Sequence, residues 1–131
     1  MKPFKVLIYE DEDGWVDGFK FILVPRLAAE DVKLVVLHRT GPSSLMQDLE
    51  WLPDLIIVDH DLDLDPYFGN ELITQIDGDP QFKSLSIYYC SGGESIESLR
   101  KFVKDLKGAI YCYTKQGDEL GDAVFAKGKT V

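Results

Sequence analysis

Leu55-Ile56-Ile57-Val58 is an apolar run with no polar position inside it, and it is closed by Asp59. A strand with one wet face alternates polar and apolar side chains. An unbroken run suits a strand covered on both faces, as in a parallel sheet flanked by helices. Acids crowd its C-terminal end at Asp59, Asp61, Asp63 and Asp65. In open α/β sheets the ligand crevice lies outside the carboxyl ends of the strands, so Asp59 stands where chemistry is expected. The plain alternative is a solvated acidic loop after a core strand.

Similar runs recur along the chain. Residues 4–9 predict a first strand, ending in Glu10-Asp11-Glu12-Asp13. Trp15, Val16, Phe19, Ile22, Leu23 and Leu27 then fall on one side of a first helix, with Asp13 as its N-cap and Pro25 expected to kink or end it early. Residues 32–37 predict a second strand, Gly41-Pro42-Ser43 a turn, and Leu45, Leu49 and Leu52 a short second helix. After the third strand, Leu72, Ile73 and Ile76 mark a third helix closed by Gly78. Residues 85–90 predict a fourth strand, followed by Ser91-Gly92-Gly93. Ile96, Leu99, Phe102, Val103 and Leu106 make the clearest amphipathic helix, with Gly108 expected at its C′ position. Residues 109–113 predict a fifth strand before Thr114-Lys115-Gln116, and 119–126 a short last helix weakened by Gly121. Strand and helix alternate throughout, which implies a parallel α/β sheet with right-handed crossovers and helices on both faces. With no linker or change of composition, residues 1–131 are read as one domain.

Charge and cysteine usage narrow the function. A net charge of −9 disfavours contact with nucleic acid or an anionic membrane, because phosphates are gathered by Lys and Arg clusters. No stretch approaches the roughly 20 apolar residues that span a bilayer, and Met1-Lys2-Pro3-Phe4 enters a strand-like run without an apolar signal segment. Cys90 and Cys112 lack metal-type spacing and read as reduced core thiols of a cytoplasmic protein.

In a parallel sheet all strand C-termini point one way. Just past them lie Glu10 and Asp11, Asp59 and Asp61, Ser91, and Lys115. Carboxylates gathered in one small pocket repel, so either their pKa values rise or a cation is present. With oxygen ligands alone, Mg²⁺ is the natural cation. A carboxylate beside Mg²⁺ and a lone Lys can attack phosphorus to give an aspartyl phosphate, while metal and ammonium neutralise the transferring group.

Glu10-Asp11, Pro53-Asp54-Leu55-Ile56-Ile57-Val58-Asp59, Ser91-Gly92 and Thr114-Lys115 together resemble the receiver domain of bacterial two-component response regulators, of the single-domain chemotaxis-regulator kind. The likeness covers nearly the whole chain in the family's order. It implies a flavodoxin-like three-layer sandwich whose five-stranded parallel sheet has the order 2-1-3-4-5. It also implies Asp59 as phosphoacceptor, Glu10, Asp11 and Asp59 around Mg²⁺ with the backbone carbonyl of Asp61, Ser91 as hydrogen-bond donor to the phosphoryl group, and Lys115 as its ion-pair partner. Gly92 would leave the approach to Asp59 open. The implied partners are a histidine kinase or phosphotransfer protein upstream and a protein target or separate output domain downstream. Such a chain is a switch, and self-directed phosphotransfer and autodephosphorylation are its only chemistry.

The sequence also departs from that family. Gln116 replaces the Pro that usually follows the strand-five Lys, so a trans Lys115–Gln116 bond is expected, a non-Pro cis bond costing about 2.5–4 kcal/mol. Cys112 replaces the usual aromatic switch residue, between Tyr111 and Tyr113. Asp61 adds a carboxylate that can reach the metal or repel the phosphoryl group, and the last helix is short. These departures motivate a second reading, a receiver-like interaction module that is not phosphorylated. A third is a haloacid-dehalogenase-type phosphatase, from Asp59-His60-Asp61 after an apolar strand. An EF-hand in Asp61, Asp63 and Asp65 is discarded, since no frame supplies both the central Gly and the terminal Glu. Ser91 and Glu94 have capping-box spacing. His60 should point to the opposite side from Asp59, and His38 has no evident partner.

Overall fold

Each apolar run forms a strand in the structure, a computed structural model that describes residues 1–40, 45–62 and 68–131. The strands are β1 (Lys2–Tyr9), β2 (Val32–Arg39), β3 (Leu55–Asp59), β4 (Ser86–Ser91) and β5 (Ile110–Thr114). They form one parallel sheet in the order β2-β1-β3-β4-β5. The helices are α1 (Asp13–Ala28), α2 (Leu45–Glu50), α3 (Phe68–Asp77), α4 (Ile96–Val103) and α5 (Glu119–Gly128). The three-layer α/β sandwich expected from the sequence is the one observed.

Two apolar cores explain why the central strands carry no polar alternation. Phe4, Val6, Ile8, Leu55, Ile57, Tyr88 and Cys90 face α1 and α5, meeting Val16, Phe19, Leu23, Leu27, Leu120 and Val124. Leu7, Tyr9, Ile56, Val58, Ile87 and Tyr89 face the other way, onto Leu49, Leu72, Ile73, Ile76 and Leu99 of α2, α3 and α4. Side chains alternate between faces along a strand. Both faces are dry, so the buried stretches 6–9, 55–58 and 87–90 are apolar throughout. Gly128 closes the first core at the end of α5, where an added Cβ would lie 2.7 Å from Leu27 and 2.8 Å from Phe4.

Several local expectations are corrected. Pro25 does not end α1 early; the helix runs through it to Ala28, and the Pro25 carbonyl accepts from Ala29 N–H at 3.1 Å. The bond a proline removes is the one to the carbonyl four residues back, here that of Phe21, which lies on the exposed side of the helix. Asp13 is the first helical residue and Glu12 the cap position. Ile22 is 57% exposed and does not join the core. Leu52 lies past α2 at φ 58, and is exposed. Despite Gly121, α5 reaches Gly128. The turn expected at Gly41-Pro42-Ser43 and the acids Asp63 and Asp65 lie outside the described residues.

The largest correction concerns α4. It ends at Val103, and Gly108 is not its C′ residue. Gly108 N–H instead donates to Asp77 Oδ1 at 2.6 Å, and Lys107 N–H to Asp77 Oδ2 at 3.2 Å, so a carboxylate at the end of α3 organises the approach to β5. The helix start also differs from the Ser91–Glu94 box. Ser95 is the N-cap, its Oγ accepting from Ser98 N–H at 3.1 Å. Ser95→Ala is therefore expected to lower stability by about 1 kcal/mol. The check is a urea midpoint that falls at unchanged slope.

Candidate functional site

Chain geometry delivers the strand-end residues to one rim. β1 and β3 are adjacent and parallel, so Glu10 and Asp59 leave neighbouring strands on the same side as Ile8 and Ile57, which face α1 and α5. Glu10 and Asp59 are 1% and 2% exposed. Lys115 follows β5 at the far side of β4 and reaches back across it. Its ammonium meets Glu10 Oε2 directly and stands 3.5 Å from Asp59 Oδ2. The Lys115 side chain is only 11% exposed and crosses the Trp15 ring of α1, with Nζ 5.1 Å from the ring centroid. A cation over an indole face is attracted by the ring quadrupole. Trp15 thus serves as more than a core residue, a role that helical periodicity alone does not reveal.

Backbone contacts hold the acids. Glu10 Oε1 accepts from Glu12 N–H at 3.1 Å, and Asp59 Oδ1 from Asp61 N–H at 3.2 Å. His38, without an evident partner in the sequence, places Nε2 2.6 Å from the Glu10 carbonyl oxygen. A carbonyl only accepts, so that nitrogen carries the proton. Pairing of β2 with β1 is what brings them together, Ile8 lying opposite His38. Gly69, at the start of α3, is the other residue the sequence did not flag. A Cβ there would run into the Asp59 carbonyl oxygen and come within 2.9 Å of His60 Cα, so only glycine lets α3 approach the strand end.

One ligand oxygen from each of Glu10, Asp11 and Asp59 lies within 4.8 Å of the others. Three carboxylates at that spacing suit a hard, oxygen-seeking divalent cation. Asp61 does not join that trio among the described residues; its Oδ2 receives the Ser91 hydroxyl at 2.5 Å. Ser91 Oγ also accepts from Gly93 N–H at 3.0 Å and Glu94 N–H at 2.9 Å. His60 points to the opposite side, as expected, with Nδ1 against the Tyr89 hydroxyl and its ring 4.6 Å from Phe102.

The departures also have positions. The Lys115–Gln116 bond is trans. Gln116 N–H donates to Thr114 Oγ1 at 3.1 Å, and its side-chain amide to the Gly92 carbonyl at 3.2 Å, tying the loop after β5 to the loop after β4. Cys112 packs toward the α2–α4 core, while Tyr113 turns to the other face, with its ring 5.1 Å from that of Tyr88.

Burial raises the Glu10 carboxyl from its ordinary 4.5 to about 7, and Asp59 adds to that, against the pull of Lys115. Burial also raises Asp59, opposed by Lys115. For an acid raised on folding, the folded state holds the proton more tightly. The resulting stability is fully present below pH 4.5 and is lost as pH climbs toward 7. The metal-free protein should therefore lose stability between pH 5 and pH 7.5, a loss flattened in Glu10→Gln. Urea unfolding in a chelator across that range reads it, and stability rising with pH would contradict the assignment.

No protein-family model matches the chain, and no curated protein is significantly similar to it. Solved structures do match. A protein of Chloroflexus aurantiacus J-10-fl described as a response regulator superposes with TM-score 0.71 at 19% identity, over 98% of this chain and 97% of that one. The signal receiver domain of a DNA-binding response regulator from Colwellia psychrerythraea 34H gives 0.70 at 17% identity, over 92% and 94%. The phosphorylated cyanobacterial phytochrome response regulator RcpA gives 0.69 at 23% identity, over 94% and 89%. At such identities the likeness establishes the fold. It is the fold that these receiver structures share, matched over most of the chain.

Proposed function

We propose that this chain is a phosphorylation-controlled signalling switch that accepts a phosphoryl group on Asp59. One observation carries the reading: the Lys115 ammonium is buried between Glu10 and Asp59, across an intervening strand. A lysine with no task beyond solubility would extend into water. Here it forfeits hydration to sit where a transferring phosphoryl group would need positive charge.

An oxygen of the Asp59 carboxylate attacks the phosphorus of a phosphohistidine on a kinase or phosphotransfer protein. The new P–O bond forms as the donor's P–N bond breaks, and the imidazole, protonated on its other nitrogen, leaves neutral. Lys115 pairs with a phosphoryl oxygen, and the small Gly92 leaves the approach open. Glu10, Asp11 and Asp59 would hold Mg²⁺, which when bound supplies charge to neutralise the phosphoryl oxygens. Hydrolysis of the acyl phosphate resets the switch. Output runs through contact with a protein target or an output domain, because the acidic charge of −9 does not suit nucleic acid or an anionic membrane. Among the described residues no helix is long and apolar enough to cross a membrane.

Beryllofluoride with Mg²⁺ tests the reading, because it builds a stable phosphoryl mimic on a reactive aspartate. Amide resonances at Asp59, Ser91 and Lys115 should shift at saturation. An unchanged spectrum would remove the proposal. The Gln116 clasp on Gly92 favours a second reading, a receiver-like surface held in one state without phosphorylation. That reading requires absent or very weak Mg²⁺ affinity and partner binding indifferent to Mg²⁺.

A further inference from the structure

Ser91 has one proton to give. A serine hydroxyl offers one donor and two acceptor positions, and all three are taken. Gly93 N–H and Glu94 N–H fill the acceptors, and the proton goes to Asp61 Oδ2 at 2.5 Å. Ser91 is fully buried, so no water competes for it. A phosphoryl oxygen on Asp59 would need that same proton, and the two acceptors cannot both have it. Asp61 is also held close to Asp59, its own N–H donating to Asp59 Oδ1 at 3.2 Å.

We infer that Asp61 is an internal counter-ligand: in the resting protein its carboxylate occupies the Ser91 hydroxyl that the phosphoryl group must take, so that phosphorylation proceeds by displacing it. This rests on Asp59 being the phosphoacceptor. Asp61 is exposed, and once displaced its carboxylate turns into water without being stranded in the core. The exchange unties the end of β4 from the connection leaving β3. That gives the switch a movable tie at a place where Cys112 provides no aromatic rotamer. It also assigns Asp61 a role other than metal ligation. The residue restrains phosphorylation and positions Ser91.

Beryllofluoride titration with saturating Mg²⁺ tests this in the wild-type chain, Asp61→Ala and Asp61→Ala/Ser91→Ala, alongside Ser91→Ala. Freeing a hydroxyl from a charged acceptor is worth about tenfold in half-saturation, so Asp61→Ala should bind about tenfold more tightly. The gain should vanish when Ser91 is already alanine, the signature of a coupled pair. Without any ligand, Asp61→Ala should shift the amide resonances of Gly93 and Glu94, which share the Ser91 oxygen. Equal affinity of wild type and Asp61→Ala overturns the inference while leaving Asp59 as phosphoacceptor. Weaker binding by Asp61→Ala overturns it in favour of metal ligation by Asp61. No adduct in either protein removes the phosphoacceptor reading itself.

Discussion

Asp59→Asn is expected to form no adduct with beryllofluoride or acetyl phosphate at any Mg²⁺ concentration, and to fold at least as stably as the wild type. The loss is complete because the amide has no anionic oxygen to form the bond to phosphorus. Folding is preserved for a local reason. The amide oxygen still accepts the Asp61 N–H that Asp59 Oδ1 accepts at 3.2 Å. Removing one buried charge also relieves Glu10, whose carboxyl is pushed up partly by Asp59. Metal-free Asp59→Asn should accordingly resist urea better than wild type above pH 7. Intact-protein mass after acetyl phosphate treatment reads the first outcome, and a urea midpoint the second.

Lys115→Met is the second large effect, and it runs in the opposite direction. Lys115 is the cation facing both Glu10 and Asp59. Methionine fills similar space over Trp15 but leaves two buried carboxylates facing each other. Breaking a buried ion pair by removing one partner costs about 3–5 kcal/mol, because the remaining charge is stranded. That cost depends on pH. Near pH 5 Glu10 holds its proton, burial raising its carboxyl to about 7 even with Lys115 beside it, so one of the two charges is not stranded. At pH 8 the unfolded chain has lost the proton that Glu10 holds in the folded state, and the destabilisation is larger. Adding Mg²⁺ at pH 8 should restore much of it by binding the folded state. A Lys115→Met variant equally destabilised at both pH values would show that Lys115 acts through packing alone.

How far the residues announced this arrangement depends on the range of the forces involved. Strand positions were legible because both faces of a central strand are dry, which leaves the unbroken apolar runs at 55–58 and 87–90. The strand-end acids and Lys115 were legible for the same reason, since a parallel sheet aligns its C-termini. Helix ends were less so. Ser91-x-x-Glu94 and Ser95 both lie just ahead of the same apolar pattern, and only the path of the chain chooses Ser95. Gly108 looked like a helix terminator, but a carboxylate 31 residues away claims it. Pro25 looked like a helix breaker, yet α1 runs through it to Ala28, with Phe21 on the exposed side of the helix.

The site's supporting contacts were illegible for a different reason. His38 reaches Glu10 only through β1–β2 register. Gly69 matters only because α3 returns against the Asp59 backbone. The Ser91–Asp61 bond joins residues from separate strand ends. Each is a tertiary coincidence of segments far apart in sequence, with no local pattern to mark it.

The most direct measurement is where the phosphoryl group goes. The chain is incubated with acetyl phosphate and Mg²⁺, reduced with borohydride to convert any acyl phosphate to an alcohol, and digested for peptide mass spectrometry. Reduction at Asp59 alone, absent when Mg²⁺ is chelated, is the predicted result. An unreduced Asp59, or reduction at Asp11 or Asp61 instead, would contradict the account.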